Sequence, residues 1–107
     1  MTDKIVVLST CGSAEEAANV ARALVERRLA ACVNIVAGVR SIYQWKGAVE
    51  EAAEWLLLIK SSRALFERLQ EELRKAHSYE TPEIVALEIV AGSQSYLEWM
   101  SAELGLR

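Results

Sequence analysis

Ile5-Val6-Val7-Leu8 is a short unbroken apolar run rich in β-branched residues, and it ends at Ser9-Thr10-Cys11-Gly12. This pattern predicts a strand followed by a loop. Ser13, with Glu16 three positions later, makes a capping-box pattern, and Ala17, Val20, Ala21, Leu24 and Val25 recur at helical spacing, so a helix is predicted to about Ala30. Glu15 and Glu16 at its start and Arg27 and Arg28 near its end suit the helix dipole. The pattern then becomes extended. Ala31 to Val36, a break at Ala37-Gly38, and Val39 to Trp45 read as one long or bulged strand. Lys46-Gly47 predicts a hairpin turn, with the chain returning through a strand from about Ala48 to Lys60. Ser61 or Ser62 is placed to cap a second helix, which carries Leu65, Phe66, Leu69 and Leu73 on one side and finishes with Arg74 and Lys75. Beyond Pro82, Ile84 to Val90 predicts a further strand. Ser95 with Glu98 predicts the cap of a short terminal helix holding Tyr96, Leu97, Trp99, Met100 and Leu104.

The order strand, helix, strand, strand, helix, strand, with an added C-terminal helix and a long hairpin between the second and third strands, predicts an α+β fold. It is the split βαβ (βαββαβ) arrangement of a ferredoxin-like sandwich. Both helices then cover one face of an antiparallel sheet, and in a monomer the other face would be wet and its strands would alternate apolar with polar. They do not alternate cleanly. Val49, Ala53, Trp55, Leu57 and Ile59 share one face of the third strand, while Ala52, Leu56 and Leu58 lie on the other, and the first strand is apolar on both. The C-terminal helix can cover part of this second face, and burial against copies of the same chain accounts for the rest. The long hairpin, with Tyr43 and Trp45 near its tip, also offers edges to another subunit's strand.

With 107 residues, 52% of them apolar, the chain is expected to form one domain over residues 1–107, with a core of its own and no linker. A net charge of −3 with both signs mixed along the chain leaves no basic stripe, which argues against nucleic-acid binding. Met1-Thr2-Asp3-Lys4 runs straight into a short apolar stretch without a signal-peptide pattern, and nothing approaches a membrane span, so a cytoplasmic protein is expected. Cys11 and Cys32 are too few and too far apart for a disulfide scaffold or a zinc finger, and they read as reduced thiols.

No Walker loop, Gly-x-Gly-x-x-Gly, His-Glu-x-x-His or Gly-x-Ser-x-Gly occurs, so no enzyme is expected. The densest chemistry lies in His77-Ser78-Tyr79-Glu80-Thr81-Pro82-Glu83-Ile84, which holds the only histidine and the only proline. A neutral imidazole is a metal ligand near neutral pH. The same residue at a helix end serves equally as a C-terminal residue well placed for the dipole. Cys11 should lie on the same rim of the sheet. With His77 it makes a nucleophile and base, or a soft or borderline metal pair suited to copper or zinc, or it is merely a small loop residue. Cys32 reads as packing in a strand. Lys60, ending an apolar strand, is an anion-binding group or a solvated terminus. Tyr43, Trp45 and Tyr79 are interface aromatics or the walls of a ligand cleft. Glu83 brings a carboxylate to the sheet edge near His77, for a ligand or for an inter-subunit salt bridge. Glu50, Glu51 and Glu54 read as a solvated stretch of the hairpin.

Several stretches, in order and over nearly the whole chain, resemble the CutA family of divalent-cation tolerance proteins. They are Leu24-Val25-Glu26-Arg27-Arg28-Leu29-Ala30-Ala31-Cys32-Val33-Asn34-Ile35-Val36, Ser41-Ile42-Tyr43-Gln44-Trp45-Lys46-Gly47, Ile59-Lys60, the His77 to Ile84 segment, and Tyr96-Leu97-Glu98-Trp99. The resemblance implies a ferredoxin-like subunit and a tight homotrimer whose hairpins pair between subunits. It further implies a fold shared with PII-type signalling proteins and a cytoplasmic role linked to copper and other divalent metals, with no established reaction. Two departures stand out. Ser78 occupies the place where members usually have proline, which loosens a rigid turn, and the Ser-Thr-Cys-Gly loop lacks a proline that many members carry. In members with a copper site, the ligands are a cysteine at the end of the first strand and two adjacent histidines after the second helix. The aligned residues here are Ser9, Ala76 and His77. His77 alone is retained, and Cys11, two residues along an extended strand and on the same side, is the available substitute.

The leading expectation is therefore a homotrimer that responds to metal ions and binds copper or another divalent cation through His77 and Cys11. Tyr43, Trp45, Lys60, Tyr79 and Glu83 would line clefts between its subunits. The alternative is a PII-like sensor or scaffold that takes a small anionic ligand or a partner protein in those clefts, a reading that Lys60 and the missing ligands favour. An acylphosphatase-like enzyme on the same sandwich ranks last, because the loop after the first strand lacks the arginine of an anion site.

Overall fold

The computed structural model describes residues 2–106. Its elements in chain order are β1 (Lys4–Cys11), α1 (Ala14–Glu26), β2 (Cys32–Trp45), β3 (Ala48–Ser62), α2 (Phe66–Ala76), β4 (Val85–Glu88) and α3 (Gln94–Glu103). The strands form one antiparallel sheet in the order β2-β3-β1-β4, the ferredoxin-like arrangement predicted from the element order. Because β1 is central, it is apolar on both sides. Ile5, Val7 and Cys11 face the helices and join Val20, Leu24, Leu57, Ile59, Leu69 and Leu73 in the main core.

Local chemistry sets the boundaries. Ser13 caps α1 by accepting the Glu16 N–H at 3.1 Å. The predicted helix to Ala30 is too long, since the chain leaves α1 at Glu26 through a left-handed Arg28 (φ 57°). That turn drives Leu29 and Ala30 into the core, and both of their N–H groups bond the Leu24 carbonyl. Burial of these two residues outweighs continued helix. At the hairpin tip, Lys46 (φ 51°) and Gly47 (φ 83°) both take left-handed conformations, as a tight two-residue turn requires. The expected break in β2 is a register shift between Val36 and Val39.

Four expectations need correction. Ser9, Thr10 and Cys11 are strand, paired with Leu57, Leu56 and Trp55, rather than loop. Ser61 and Ser62 cap nothing: β3 extends through both, and their hydroxyls donate to the backbone carbonyls of Leu29 and Asp3, so α2 starts only after a 3-10 turn at Arg63–Leu65. Ser93, not Ser95, caps α3 by accepting the Tyr96 N–H. The last strand is confined to Val85–Glu88, opposite Ile5 to Leu8 of β1.

The second face of the sheet stays open within one subunit. Met100 of α3 and the following Leu104 pack on Ala31 and Leu65, and Tyr96 reaches Cys32, so α3 covers the second face only at the Cys32 end. Val36, Val85 and Leu87 remain exposed beside half-buried Val6, Leu8, Leu56 and Leu58.

Candidate functional site

Where β1 ends and α2 gives way to the following loop, three groups of metal-ligating chemistry meet. Cys11, Glu16 and His77 each place one donor atom within 4.8 Å of the others. Cys11 arrives on the core-facing row of β1, Glu16 from the first turn of α1, and His77 from the residue immediately after α2. The Cys11 Sγ lies 3.7 Å from His77 Nε2, so the expected proximity of these two residues is realised.

The hydrogen bonds define their protonation. The Tyr79 N–H donates to His77 Nδ1 at 3.0 Å, which requires that nitrogen to be bare. The ring proton therefore sits on Nε2, which donates to the Thr10 carbonyl at 2.6 Å. His77 is a neutral imidazole with a side chain sealed from solvent and both nitrogens engaged. Burial, followed by the charges of Glu16 and Glu54, pushes the Cys11 thiol up to about 11. A neutral thiol beside an imidazole that already donates elsewhere is not an activated nucleophile. Glu16 behaves oppositely. Burial raises its carboxyl, but hydrogen bonds from Ser78 and the Gly12 backbone outweigh that and hold it below the ordinary carboxylate range. The Ser78 N–H to Glu16 Oε2 distance is 2.7 Å, a bond that the proline usual at this position would lack. Glu16 thus completes this cluster instead of the capping box.

Across the backbone of Thr10 lies a cleft of about 620 Å³, lined by Tyr43, Trp45, Glu50, Glu54, Tyr79, Glu80 and Glu83 with Thr10, Ser41, Ile42 and Thr81. Glu54 is only 7% exposed, which corrects its reading as a solvated hairpin residue. Its Oε2 accepts the Tyr79 hydroxyl at 2.7 Å. Burial and that carboxylate raise the Tyr79 hydroxyl far above its ordinary range, so it is a committed donor. Gly12 permits this geometry, because a Cβ there would stand 3.0 Å from the Tyr79 hydroxyl.

Four of the five predicted cleft residues, Tyr43, Trp45, Tyr79 and Glu83, line this one space, and Lys60 does not. Lys60 pairs with Val6 and Cys32, six positions and roughly 20 Å along β3 from Glu54, and its Nζ bonds the Asn34 side chain. Within one subunit, with Lys60 elsewhere and four glutamates in the lining, this cleft does not suit an anion. Sequence reasoning missed Glu16 and Glu54. Glu16 was hidden inside a good capping pattern and Glu54 inside an acidic run, and neither carried a one-dimensional signal of its tertiary partner. Ser9 and Ala76, at the aligned ligand positions, supply no donor to the cluster: Ser9 is buried with its hydroxyl unpartnered, and Ala76 is the exposed last residue of α2.

A family profile described as CutA1 divalent ion tolerance protein matches residues 5–103. The divalent-cation tolerance protein CutA of Thermus thermophilus is 51% identical over 100 residues, covering 94% of this chain and 97% of that protein. The chloroplastic CutA of Arabidopsis thaliana is 45% identical over 96 residues, covering 90% of this chain and 53% of the plant protein, so the chain spans about half of that relative's length. Among solved structures, the periplasmic divalent cation tolerance protein CutA of Archaeoglobus fulgidus superposes with a TM-score of 0.92 at 35% identity, covering 94% of this chain and 98% of that one. Relatives are thus described from chloroplast and periplasm, and the cytoplasmic expectation does not follow from similarity alone. No helix among the described residues is long and apolar enough to cross a membrane.

Proposed function

Because the chain belongs to the CutA1 divalent ion tolerance family, we propose that it contributes to divalent-cation tolerance by binding copper, or another borderline divalent ion, through Cys11, Glu16 and His77. The observation that carries this reading is the convergence of a thiol, a carboxylate and an imidazole within 4.8 Å. That donor set suits copper and zinc better than magnesium or calcium. Binding has a definite cost here. The ion must displace the thiol proton, against a pKa of about 11, and replace one hydrogen bond of His77. At neutral pH the thiol alone lowers apparent affinity by roughly four orders of magnitude, an amount that thiolate–metal bonding can offset.

The protein acts as a homotrimer. The apolar sheet face left open in one subunit, together with the long β2–β3 hairpin whose Ile42 and Val49 are mostly exposed, supports burial between copies. Cys11 and Cys32 are free thiols, which accords with the reducing cytoplasm.

Calorimetric titration of the reduced, metal-free protein with copper, zinc and nickel tests the metal site. Saturable binding tighter than about micromolar is expected, abolished in His77→Ala and Cys11→Ser and weakened in Glu16→Gln. Weak, unsaturable binding indifferent to these changes would remove metal binding from the function. Light scattering of the same sample should return a trimer.

A further inference from the structure

The strand register divides the open face of the sheet into rows. One row runs Cys32, Lys60, Val6 and Leu87 from β2 to β4, and the next runs Asn34, Leu58, Leu8 and Val85. A third holds Val36, Leu56 and Thr10. Glu83, two residues before Val85, ends this third row. Ile84 packs on the main core, so the residues on either side of it turn to the open face, and Glu83 lines the same cleft as Thr10. Lys60 and Glu83 are the charged members of these rows, set among valines and leucines. Glu54, one step further along β3, is already held by Tyr79.

Neither charge is matched within the subunit. Among the described residues the Lys60 ammonium bonds only the Asn34 amide oxygen, and no carboxylate lies within 4.0 Å of it, whereas Lys4, Arg40 and Arg63 each have one. Glu83 enters no ion pair among the described residues either. The two cannot meet each other in one chain. Four residues along the strands and two strands across separate their backbones by roughly 16 Å, beyond the reach of the two side chains.

Assembly changes what each of them faces. Once another copy covers the valines and leucines, Lys60 loses water and keeps only a neutral amide, which is costly unless the covering surface brings a carboxylate. Contacts in a threefold ring are heterologous, so each copy presents different parts of one surface to its two neighbours. A face with a lysine towards one end and a glutamate at the other is complementary to itself in that sense, head to tail.

We propose that Lys60 of one subunit pairs with Glu83 of the partner subunit in the assembled protein. The inference rests on the homotrimer reading and adds to it the charged contact that fixes how the apolar faces register, since unlike charges admit one packing and like charges penalise the others. It also supplies the acidic cleft beside Thr10 with a cation from the neighbouring copy.

The test is sedimentation velocity of the intact protein over a dilution series in mild urea, comparing wild type, Lys60→Glu, Glu83→Lys and the double charge swap Lys60→Glu/Glu83→Lys. Each single swap sets like charges against each other and should lower the resistance to dissociation at least about tenfold in concentration, and the double swap should recover most of that loss. Because the pair is out of reach within one chain, recovery reports contact between copies. A monomeric wild type would overturn the trimer and this contact with it. A wild-type trimer that tolerates Lys60→Glu, as it would if the ammonium stood in a water-filled space between subunits, overturns the contact alone. So does a double swap as dissociated or as unfolded as the single variants. Recovery of Lys60→Glu by Glu50→Lys or Glu80→Lys in place of Glu83→Lys would overturn the assignment to Glu83.

Discussion

Thr10 and Cys11 are neighbours in β1 that point to opposite faces of the strand, and each opens onto a site of opposite character. On the Cys11 side the groups are closed in: burial keeps the thiol protonated, and both imidazole nitrogens are taken up by hydrogen bonds, Nδ1 accepting and Nε2 donating. On the Thr10 side the space is open, and four carboxylates stand without a cation. The partition between the two is thin. The Thr10 carbonyl accepts from His77 while the residue lines the cleft, and Tyr79 turns its N–H to His77 and its hydroxyl to Glu54. The difference teaches that one short motif can serve two electrostatic regimes. Enclosure keeps the Cys11 thiol protonated, whereas hydrogen bonds hold the neighbouring Glu16 carboxyl below its ordinary range.

If the closed site is a metal site gated by its own proton, the sharpest break in this comparison is metal affinity against pH. Competition with a chelator should show affinity rising about tenfold per pH unit between roughly pH 7 and 10. A flat profile in the wild type would mean that the thiol is not a ligand.

Stability gives a smaller effect with a definite sign. The folded-state thiol, at about 11, lies above its ordinary 9.0, so the neutral thiol's contribution is complete below about pH 9 and disappears as pH rises through the folded value. The loss is worth roughly 3 kcal/mol, and urea denaturation at both ends of that window should find this component missing from Cys11→Ala. Tyr79 and Tyr96, whose hydroxyls are also raised, act alike in both proteins.

The smallest effect concerns Ser78→Pro. His77 already has the extended backbone (φ −91°, ψ 142°) that a following proline requires. The substitution removes the N–H bond to Glu16, costing about 1 kcal/mol, and regains a comparable amount by stiffening the unfolded chain. Net stability near neutral pH should hardly change, but the acid limb should. Glu16 is depressed in the fold, so it stabilises above its unfolded pKa, and that contribution is lost as pH falls through the folded value. Denaturation followed from neutral to acid pH should show a shallower loss in the variant, and an unaltered acid limb would mean that this bond does not hold Glu16 down.

Helix faces, the long hairpin and its turn, and the pairing of Cys11 with His77 were legible along the chain, because each is set by spacing or by a local backbone requirement. Ala17, Val20, Ala21 and Leu24 are buried as their periodicity demands, and Lys46-Gly47 turns as its residues allow. Helix ends were less legible. Ser61 and Ser95 have the right chemistry for caps, but strand pairing with β1 and the earlier Ser93 settle where the helices begin.

The sequence by itself determined the order of elements, the apolar faces and the segment in which chemistry concentrates, since these depend on contacts within a few residues. Only the tertiary structure decided that Glu16 leaves its capping role to join His77, that Glu54 is buried under Tyr79, and that Lys60 lies far from the cleft. Those outcomes depend on residues 25 to 62 positions apart being brought into contact, which no local spacing along the chain encodes.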